Sequence, residues 1–244
     1  MQAAKRFSLL DWDSTLFGFP VARLHVEAIS PQGMLPALDD MRAASVRLAY
    51  ITVPPAAHAS VSLLLAAGAR PLGTRRVYHK AVPGEPHGVV AESLLGQAST
   101  PELESLALDS GAHSRFKRDT LVPVGIFETL YRTWMRRSLS GEIAADVLVW
   151  RDEERVAGMV TVGAPNTEGT VAIGLVAVGE KYRRRGVGRQ LMRTVDAWAA
   201  TRGASAVAVV TQGENHAACG LYAGCGYALA SEESVFHLWL QPPP

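Results

Sequence analysis

A strand, a glycine loop and a helix are predicted in succession between Gly174 and Thr201. The first five residues are apolar and predict a strand. Gly186 and Gly188 then lie within the basic sequence KYRRRGVGR, residues 181–189. A helix is predicted from about Gly186 to Thr201, because apolar side chains recur on one face at helical spacing, at Val187, Leu191, Val195 and Trp198.

The start of this helix is suited to binding an anion. Backbone N–H groups at a helix N-terminus have no partner inside the helix, and the helix dipole favours negative charge there. A Walker loop would need Gly-Lys-Ser/Thr, but Gly188 is followed by Arg189, and a dinucleotide fingerprint would need a third glycine where Leu191 stands. Four side chains add charge-assisted hydrogen bonds that suit phosphate: Arg183, Arg184, Arg185 and Arg189.

The surrounding pattern predicts a mixed sheet layered with helices. Strands are expected at Asp146–Trp150, Val156–Val162, Thr170–Val178, Ser205–Thr211 and Ser234–Leu240. Helices are expected after Thr100-Pro101, at Val124–Leu139, at about Gly186–Thr201 and at about His216–Ala223. The order β-β-β-α-β-α-β is typical of an α/β (α+β) fold whose sheet is covered by helices.

Composition and charge exclude several classes of protein. Of 244 residues, 48% are hydrophobic and 19% are charged, which is too apolar for a disordered chain. The net charge of +1 excludes a global nucleic-acid footprint, and no apolar run approaches the roughly 20 residues of a membrane span. The N-terminus lacks a signal-peptide pattern, so we expect a cytoplasmic protein with no membrane partner. The apolar content of the N-terminal part would permit a homodimer. Cys219 and Cys225 form neither a disulfide framework nor a zinc quartet, so no metal is expected.

An internal repeat relates the N-terminal third of the chain to its C-terminal end. A shift of 158 positions without gaps aligns residues 47–80 with residues 205–238. Both segments follow the order strand, helix, glycine turn, strand, and identical residues meet at His58 and His216, Gly68 and Gly226, and His79 and His237. Two polar positions of the second copy, Asn215 and Tyr222, are Ala57 and Leu64 in the first. We therefore expect the first copy to be degenerate and the second to retain the chemistry.

Two motifs resemble the GCN5-related N-acetyltransferases (GNAT), a superfamily that binds acetyl-CoA. The first, Arg183-x-x-Gly186-x-Gly188, is similar to the pyrophosphate loop of that superfamily. The second, Asn215-x-x-Ala218-x-x-x-Tyr222 with the following Gly-Cys-Gly-Tyr, is similar to its closing motif. The resemblance covers about residues 145–240 and implies a GNAT fold preceded by a degenerate half-GNAT domain.

The resemblance also implies roles for individual residues, with acetyl-CoA as co-substrate. Residues 186–189 would hold the pyrophosphate, Asn215 would bond the pantetheine or cap its helix, and the Tyr222 hydroxyl would lie near the thioester sulfur as the catalytic group. A backbone N–H near Val176 would meet the oxyanion. The residues expected to bind acetyl-CoA are Leu175, Val176, Ala177, Val178, Arg183, Arg184, Arg185, Gly186, Val187, Gly188, Arg189, Asn215 and Ala218.

A narrower resemblance points to the TDP-fucosamine acetyltransferase branch. It is carried by Leu10–Gly18, by His113–Asp119 and by the helix with Phe127, Tyr131 and Trp134. Those enzymes acetylate the 4-amino group of a dTDP-linked amino-deoxysugar. The resemblance implies a nucleotide-sugar substrate bound through Arg115, Phe116, Asp119 and Trp134. Together with the turn-rich segment Pro83–Gly88, it predicts three segments: a degenerate partial domain at 1–82, a linker at 83–100 and an acetyl-CoA-binding domain at 101–244.

The expected reaction is direct attack of a neutral amine on the thioester, with no acyl-enzyme. Asp119 or His113 could take the proton, and each is as well explained as a surface or structural residue. Two other functions remain open at this stage. One is a GNAT that acts on a protein N-terminus, a lysine or an aminoglycoside, and the other is an acyl-CoA-binding module without catalysis.

Overall fold

The structure is a computed structural model that describes residues 5–82 and 92–241. Their secondary structure follows the predicted order from residue 146 onward. The strands are β1 (Phe7–Leu9), β2 (Val21–Leu24), β3 (Leu48–Val53), β4 (Arg70–Ala81), β5 (Glu92–Ser93), β6 (Asp146–Asp152), β7 (Arg155–Val162), β8 (Thr170–Val178), β9 (Ala206–Gln212) and β10 (Ala228–Trp239). The helices are α1 (Asp11–Phe17), α2 (Met34–Ala43), α3 (His58–Ala66), α4 (Pro101–Ser110), α5 (Arg115–Arg118), α6 (Ile126–Leu139), α7 (Val187–Ala200) and α8 (His216–Gly224).

The described chain divides into two compact units that do not follow its sequence in order. Unit 1 contains the described residues up to Arg75, residues 114–127 and the chain from Glu232 onward. Unit 2 contains residues 76–113 and 128–231. These units cut across the predicted division at residues 82 and 101. Of the predicted linker, residues 83–100, the first part up to residue 91 lies outside the described residues.

In unit 1, three short N-terminal strands are completed by the end of the chain. Strand β2 pairs antiparallel with β1 and parallel with β3, and β3 pairs antiparallel with the second half of β10. The apolar residues of this sheet pack against α2 and α3, with Met41 and Leu64 fully buried beside Phe236 and Leu238. The C-terminal strand therefore supplies part of the N-terminal core.

In unit 2, strands β5 to β9 form a sheet in sequence order. All pairs are antiparallel except β8 and β9, which run parallel. Helix α7 covers one face with the predicted apolar stripe, and Leu191 and Val195 on it are fully buried. Helix α4 begins as its sequence predicts: the Thr100 hydroxyl accepts a hydrogen bond from Leu103 N–H, Pro101 follows, and two glutamates lie in the first turn.

The internal repeat is present in the structure with the same spacing. Shifted by 158 positions, β3, α3 and β4 begin at the first residues of β9, α8 and β10. The aligned glycines Gly68 and Gly226 both adopt the left-handed backbone, with φ of +84° and +85°. Two hydrogen bonds join aligned atoms: Leu240 N–H donates to Arg47 O at 2.8 Å, and Val82 N–H donates to Ser205 O at 2.9 Å. The strand that ends each repeat therefore lies beside the strand that begins the other.

Within 5–82 and 92–241, no helix combines the length and the apolar character needed to cross a bilayer. In the same ranges, no three or more His, Cys, Asp or Glu side chains are arranged to hold a metal ion.

Candidate active site

Strand β8 separates from its parallel neighbour β9 part of the way along. Pairing begins at Thr170 with Ala206 and ends at Ile173 with Val209. Both strands continue beyond that point, β8 to Val178. Because the described pairing stops there, the backbone edge of residues 174–178 has no strand partner on the β9 side. An extended ligand could bond to that edge as a strand would.

A bulge in β8 produces this separation. Strand β7 pairs with β8 at Val162–Ile173 and again at Val160–Val176. Between these two pairs β8 contains one residue more than β7, which is a β-bulge. The Thr161 hydroxyl fills the gap and accepts a hydrogen bond from Leu175 N–H at 2.8 Å. A Cβ at Gly174 would lie 2.6 Å from that hydroxyl oxygen, so only glycine fits the position.

The loop that follows has the backbone shape of an anion cradle. Arg184 and Gly186 both have positive φ, +64° and +85°. Alternating backbone of this kind turns successive N–H groups toward one point. Gly186 caps α7 without a side-chain hydrogen bond, and a Cβ built on it would meet nothing within 4 Å. The N–H groups that open α7 are therefore presented to a space that a pyrophosphate could fill.

The arginines of the loop do not act alike. Arg183 donates through Nε to Val178 O at 3.0 Å and pairs through its other end with Asp109 at 3.4 Å. Its side chain thus holds the loop to the end of β8, and its contact with phosphate stays a prediction. Arg185 lies over the ring of Tyr182, 6.0 Å from its centroid. Arg184 and Arg189 stand in the exposed part of the loop and on the first turn of α7.

The closing motif forms α8 as predicted. Asn215 precedes the helix, and its Oδ1 accepts a hydrogen bond from Ala218 N–H at 3.1 Å. Asn215 is therefore a helix cap, and its amide nitrogen carries the donors that would serve a ligand. Helix α8 lies close to the start of α7, since a Cβ on Gly188 would come within 3.1 Å of Leu221.

Tyr222 is buried between two other tyrosines. Its ring centroid lies 5.7 Å from that of Tyr78 and 6.1 Å from that of Tyr227. Burial raises the pKa of Tyr222 well above its ordinary value, and the nearby Cys219 raises it further. The hydroxyl consequently keeps its proton at neutral pH. Tyr78 was not recognised in the sequence as part of this site, although the repeat aligns it with the aromatic Phe236.

The sequence-predicted acceptor residues lie in both units. Asp119 is buried in unit 1 and accepts hydrogen bonds from His237 Nδ1 at 2.7 Å, Trp239 Nε1 at 2.8 Å and Leu121 N–H at 3.1 Å. Burial alone would raise the pKa of Asp119, but these hydrogen bonds keep it below its ordinary value. Arg70 Nε is also 3.3 Å from its Oδ1. These contacts occupy the carboxylate within the protein, and His113 is exposed.

Phe116 and Arg115 pack around the same cluster. The Arg115 guanidinium lies over the rings of Tyr50 and Phe116, at 4.3 and 4.6 Å from their centroids. Trp134 belongs to unit 2, where its ring meets Tyr131 edge-on at 5.0 Å. The segment at 113–119, which lacks a clear sequence period, thus contains a short helix anchored by a buried acid.

A family model matches the part of the chain that contains this site. Residues 120–227 match the model of the Acetyltransferase (GNAT) family. None of the curated proteins matches the sequence. The matched residues include the bulged strand, the anion cradle and α8, so the family match and the site geometry concern the same part of the chain.

Solved structures with similar folds extend over nearly the whole chain. A GCN5-related N-acetyltransferase from Sphaerobacter thermophilus is 16% identical with a TM-score of 0.60 and covers 98% of this chain and 77% of its own. A GNAT-family putative acetyltransferase from Novosphingobium aromaticivorans is 18% identical with a TM-score of 0.54, over 97% of this chain and 89% of its own. A tandem GNAT protein from the clavulanic acid biosynthesis pathway is 14% identical with a TM-score of 0.54, over 92% and 76%.

The chain has the GNAT fold, as the sequence predicts. The GNAT family match at residues 120–227 lies within this fold.

Proposed function

We propose that the protein moves an acetyl group from acetyl-CoA to the amine of a nucleotide-linked amino-deoxysugar, of the dTDP-4-amino-4,6-dideoxyhexose type. The observation that carries the acetyl-CoA part is the combination of an unpaired β8 edge at 174–178 with an uncapped α7 start at Gly186. The sugar part is supported by the sequence resemblance of residues 10–18 and 113–119 to the TDP-fucosamine branch.

Acetyl-CoA fits the residues present. The backbone N–H groups of the loop and of the first turn of α7 would bind the pyrophosphate, with Arg184 and Arg189 adding charge. The pantetheine arm would lie along β8 like a strand, between that edge and Asn215 of α8. The small Ala218 and Gly220 leave room on the same helix. Fixing the two ends of the arm in this way places the thioester at the end of the separated strands.

The chemistry is a direct transfer. The nitrogen of the neutral amine attacks the thioester carbon, a C–N bond forms, the C–S bond breaks, and the amine loses one proton to water or to a base. The N–H of Val176, next to the bulge, would donate to the oxyanion. Tyr222 would donate a hydrogen bond to the leaving sulfur. The pKa of tyrosine is ordinarily above that of a thiol and burial raises it further, so a hydrogen bond to the thiolate is favoured over complete proton transfer.

The acceptor is proposed to bind through residues of the short helix α5. Arg115, Lys117 and Arg118 follow one another there, and such a group of cations is suited to a diphosphate. The buried Asp119 at the end of the helix fixes its position and does not itself contact substrate in this proposal. Trp134 stays a proposed contact for the acceptor.

A thiol-release assay with a panel of amines tests the function. Acetyl-CoA would be supplied with dTDP-4-amino-4,6-dideoxygalactose, an aminoglycoside, a lysine-containing peptide or a peptide with a free N-terminus. We expect the highest kcat/KM for the nucleotide sugar. A higher value for another amine would replace the acceptor but keep the transferase. Binding of acetyl-CoA without turnover of any amine would instead indicate a non-catalytic acyl-CoA-binding module.

A further inference from the structure

Strand β1 has one edge without a partner strand. Among the described strands it pairs only with β2. Leu10 N–H and Arg6 O bond to the chain of β2 and its extension, at 2.8 and 2.9 Å. In an antiparallel pair, successive residues direct their N–H and C=O groups to opposite sides. The backbone groups of Phe7 and Leu9 therefore face away from β2, where they can pair with another strand.

A groove of about 710 Å³ lies along this edge, entirely within unit 1. It is lined by residues 5–9, by Asp11, and by Asp40 and Ala43 of α2. Leu9 is 50% exposed there, whereas Phe7, on the same face of the strand, packs against the core of unit 1. An exposed apolar side chain on an open strand edge favours pairing with a further strand.

Two opposite charges flank β1. The ammonium of Lys5 and the carboxylate of Asp11 have no ion-pair partner among the described residues, where both residues bond only through backbone oxygens. The other cation of the edge, Arg6, is paired with Asp40 of α2 at 2.5 Å. Lys5 and Asp11 are therefore available to a partner that carries the opposite charges in the opposite order.

A second copy of the same strand is such a partner. Two β1 strands related by a two-fold axis can pair their outward-facing residues in different registers. Setting Phe7 opposite Phe7 places Lys5 against Leu9, and setting Leu9 opposite Leu9 places Phe7 against Asp11. The register centred on Ser8 sets Phe7 opposite Leu9. It also sets Lys5 opposite Asp11, so both the apolar and the charged residues match, as an isologous contact requires.

We propose that the protein forms a homodimer in which two β1 strands pair antiparallel about Ser8. Phe7 of each copy exchanges backbone hydrogen bonds with Leu9 of the other, and the side chain of Phe7 covers the exposed Leu9. Lys5 of each copy pairs with Asp11 of the other. The inference goes beyond the proposed function and does not depend on it, because none of these residues is assigned to acetyl-CoA or to the acceptor.

Sedimentation equilibrium of the full-length protein at about 100 μM tests the dimer, since contacts of small area are weak. Wild type should have twice the monomer mass of 26.1 kDa. Lys5→Glu should raise the dissociation constant of the dimer about tenfold, because repulsion replaces attraction at both ends of the paired strands. Adding Asp11→Lys to that variant should restore the wild-type constant. A monomeric wild type, an unchanged constant in Lys5→Glu or a double variant no tighter than the single one would overturn the inference.

A cysteine at the centre of the pairing tests its geometry. Ser8 would meet Ser8 of the second copy at a non-hydrogen-bonded position, with Cα atoms about 4.5 Å apart, so oxidised Ser8→Cys should form a covalent dimer. Arg23→Cys, at the exposed position paired with Ser8 on β2, is the matched control. Its copies would be three strand spacings apart, roughly 14 Å, which a disulfide cannot span.

Wild type in the same oxidation reports any cross-linking through Cys219 and Cys225. Non-reducing electrophoresis compares the three proteins. No covalent dimer of Ser8→Cys above the wild-type background, or equal cross-linking of Ser8→Cys and Arg23→Cys, would contradict the paired β1 strands.

Discussion

Tyr222 and Tyr227 show how neighbouring buried tyrosines can serve different ends. Tyr227 donates its hydroxyl to Asp196 at 3.1 Å, inside the core of unit 2. Tyr222 lies against the ring of Tyr78, and in the proposed function its hydroxyl faces the thioester sulfur. Both have a pKa raised first by burial, so both are protonated at neutral pH. Only the tyrosine that reaches the sulfur should affect catalysis.

Tyr222→Phe is therefore expected to lower kcat roughly 10- to 100-fold, because the lost hydrogen bond is strong only while the thiolate leaves. The dissociation constant of acetyl-CoA, measured by calorimetry, should stay within about twofold. Tyr227→Phe is the matched control, which should lose stability through Asp196 but keep kcat. An unchanged kcat in Tyr222→Phe would remove this residue from the reaction.

Gly186 offers a similar test at the pyrophosphate. Gly186→Asp places a negative charge in the space where no atom lies within 4 Å of the added Cβ, and we expect it to abolish acetyl-CoA binding in calorimetry. Gly203→Asp, near the other end of α7, is the control for backbone strain, because Gly203 also has a positive φ of +67° and open space around its added Cβ. Normal affinity in Gly186→Asp would refute the placement of the anion.

The buried His237 makes stability depend on pH. Its pKa is lowered to about 4 in the folded protein against 6.5 in the unfolded chain, so the unfolded state binds the extra proton between these values. Stability should therefore rise from pH 4 to pH 6.5, by on the order of 3 kcal/mol from this group. Urea unfolding at several pH values measures the slope, and His237→Asn should flatten it. An equal slope in the variant would assign the effect to other groups.

Among the secondary-structure elements, α7 and β8 were predictable from sequence and the separation of β8 from β9 was not. Apolar spacing and the glycine loop fix a helix and a strand locally. The bulge depends on the Thr161 hydroxyl, fourteen residues away from the N–H that it binds. A glycine inside a strand at Gly174 was the available signal. The burial of Asp119 could not be predicted either, because its hydrogen-bond partner His237 lies 118 positions further along the chain.

The bulge itself can be tested through that hydroxyl. Thr161→Val keeps the shape but leaves Leu175 N–H without its acceptor, which should cost about 1–3 kcal/mol of stability and raise KM for acetyl-CoA. The control is Thr194→Val on α7, whose buried hydroxyl has no partner among the described residues and should be nearly neutral. Thermal unfolding and kinetics of both variants give the comparison. Equal effects in the two would mean that Thr161 does not hold the bulge.

At the scale of the whole molecule, the repeats exchange their last strands. Strand β3 of the first repeat pairs with residues 234–239 of β10, in a register that sets Ile51 opposite Phe236. In unit 2, Val82 at the end of β4 bonds to Ser205 at the start of β9. The first repeat therefore lacks a strand until the last residues of the chain are made. This topology explains why the compact units do not follow the sequence in order.

Residues 1–82 produced alone should therefore remain unfolded. Without β10, the edge of β3 is unpaired and the pocket filled by Phe236 and Leu238 in the core of unit 1 is exposed, a loss of roughly 2 kcal/mol for each side chain. Circular dichroism and amide NMR dispersion would show this directly. Mixing with residues 83–244 should restore native dispersion, because that piece carries the missing strand. If residues 1–82 alone gave a cooperative unfolding transition, the first repeat would be an independent domain and the exchanged strand would be unnecessary for its folding.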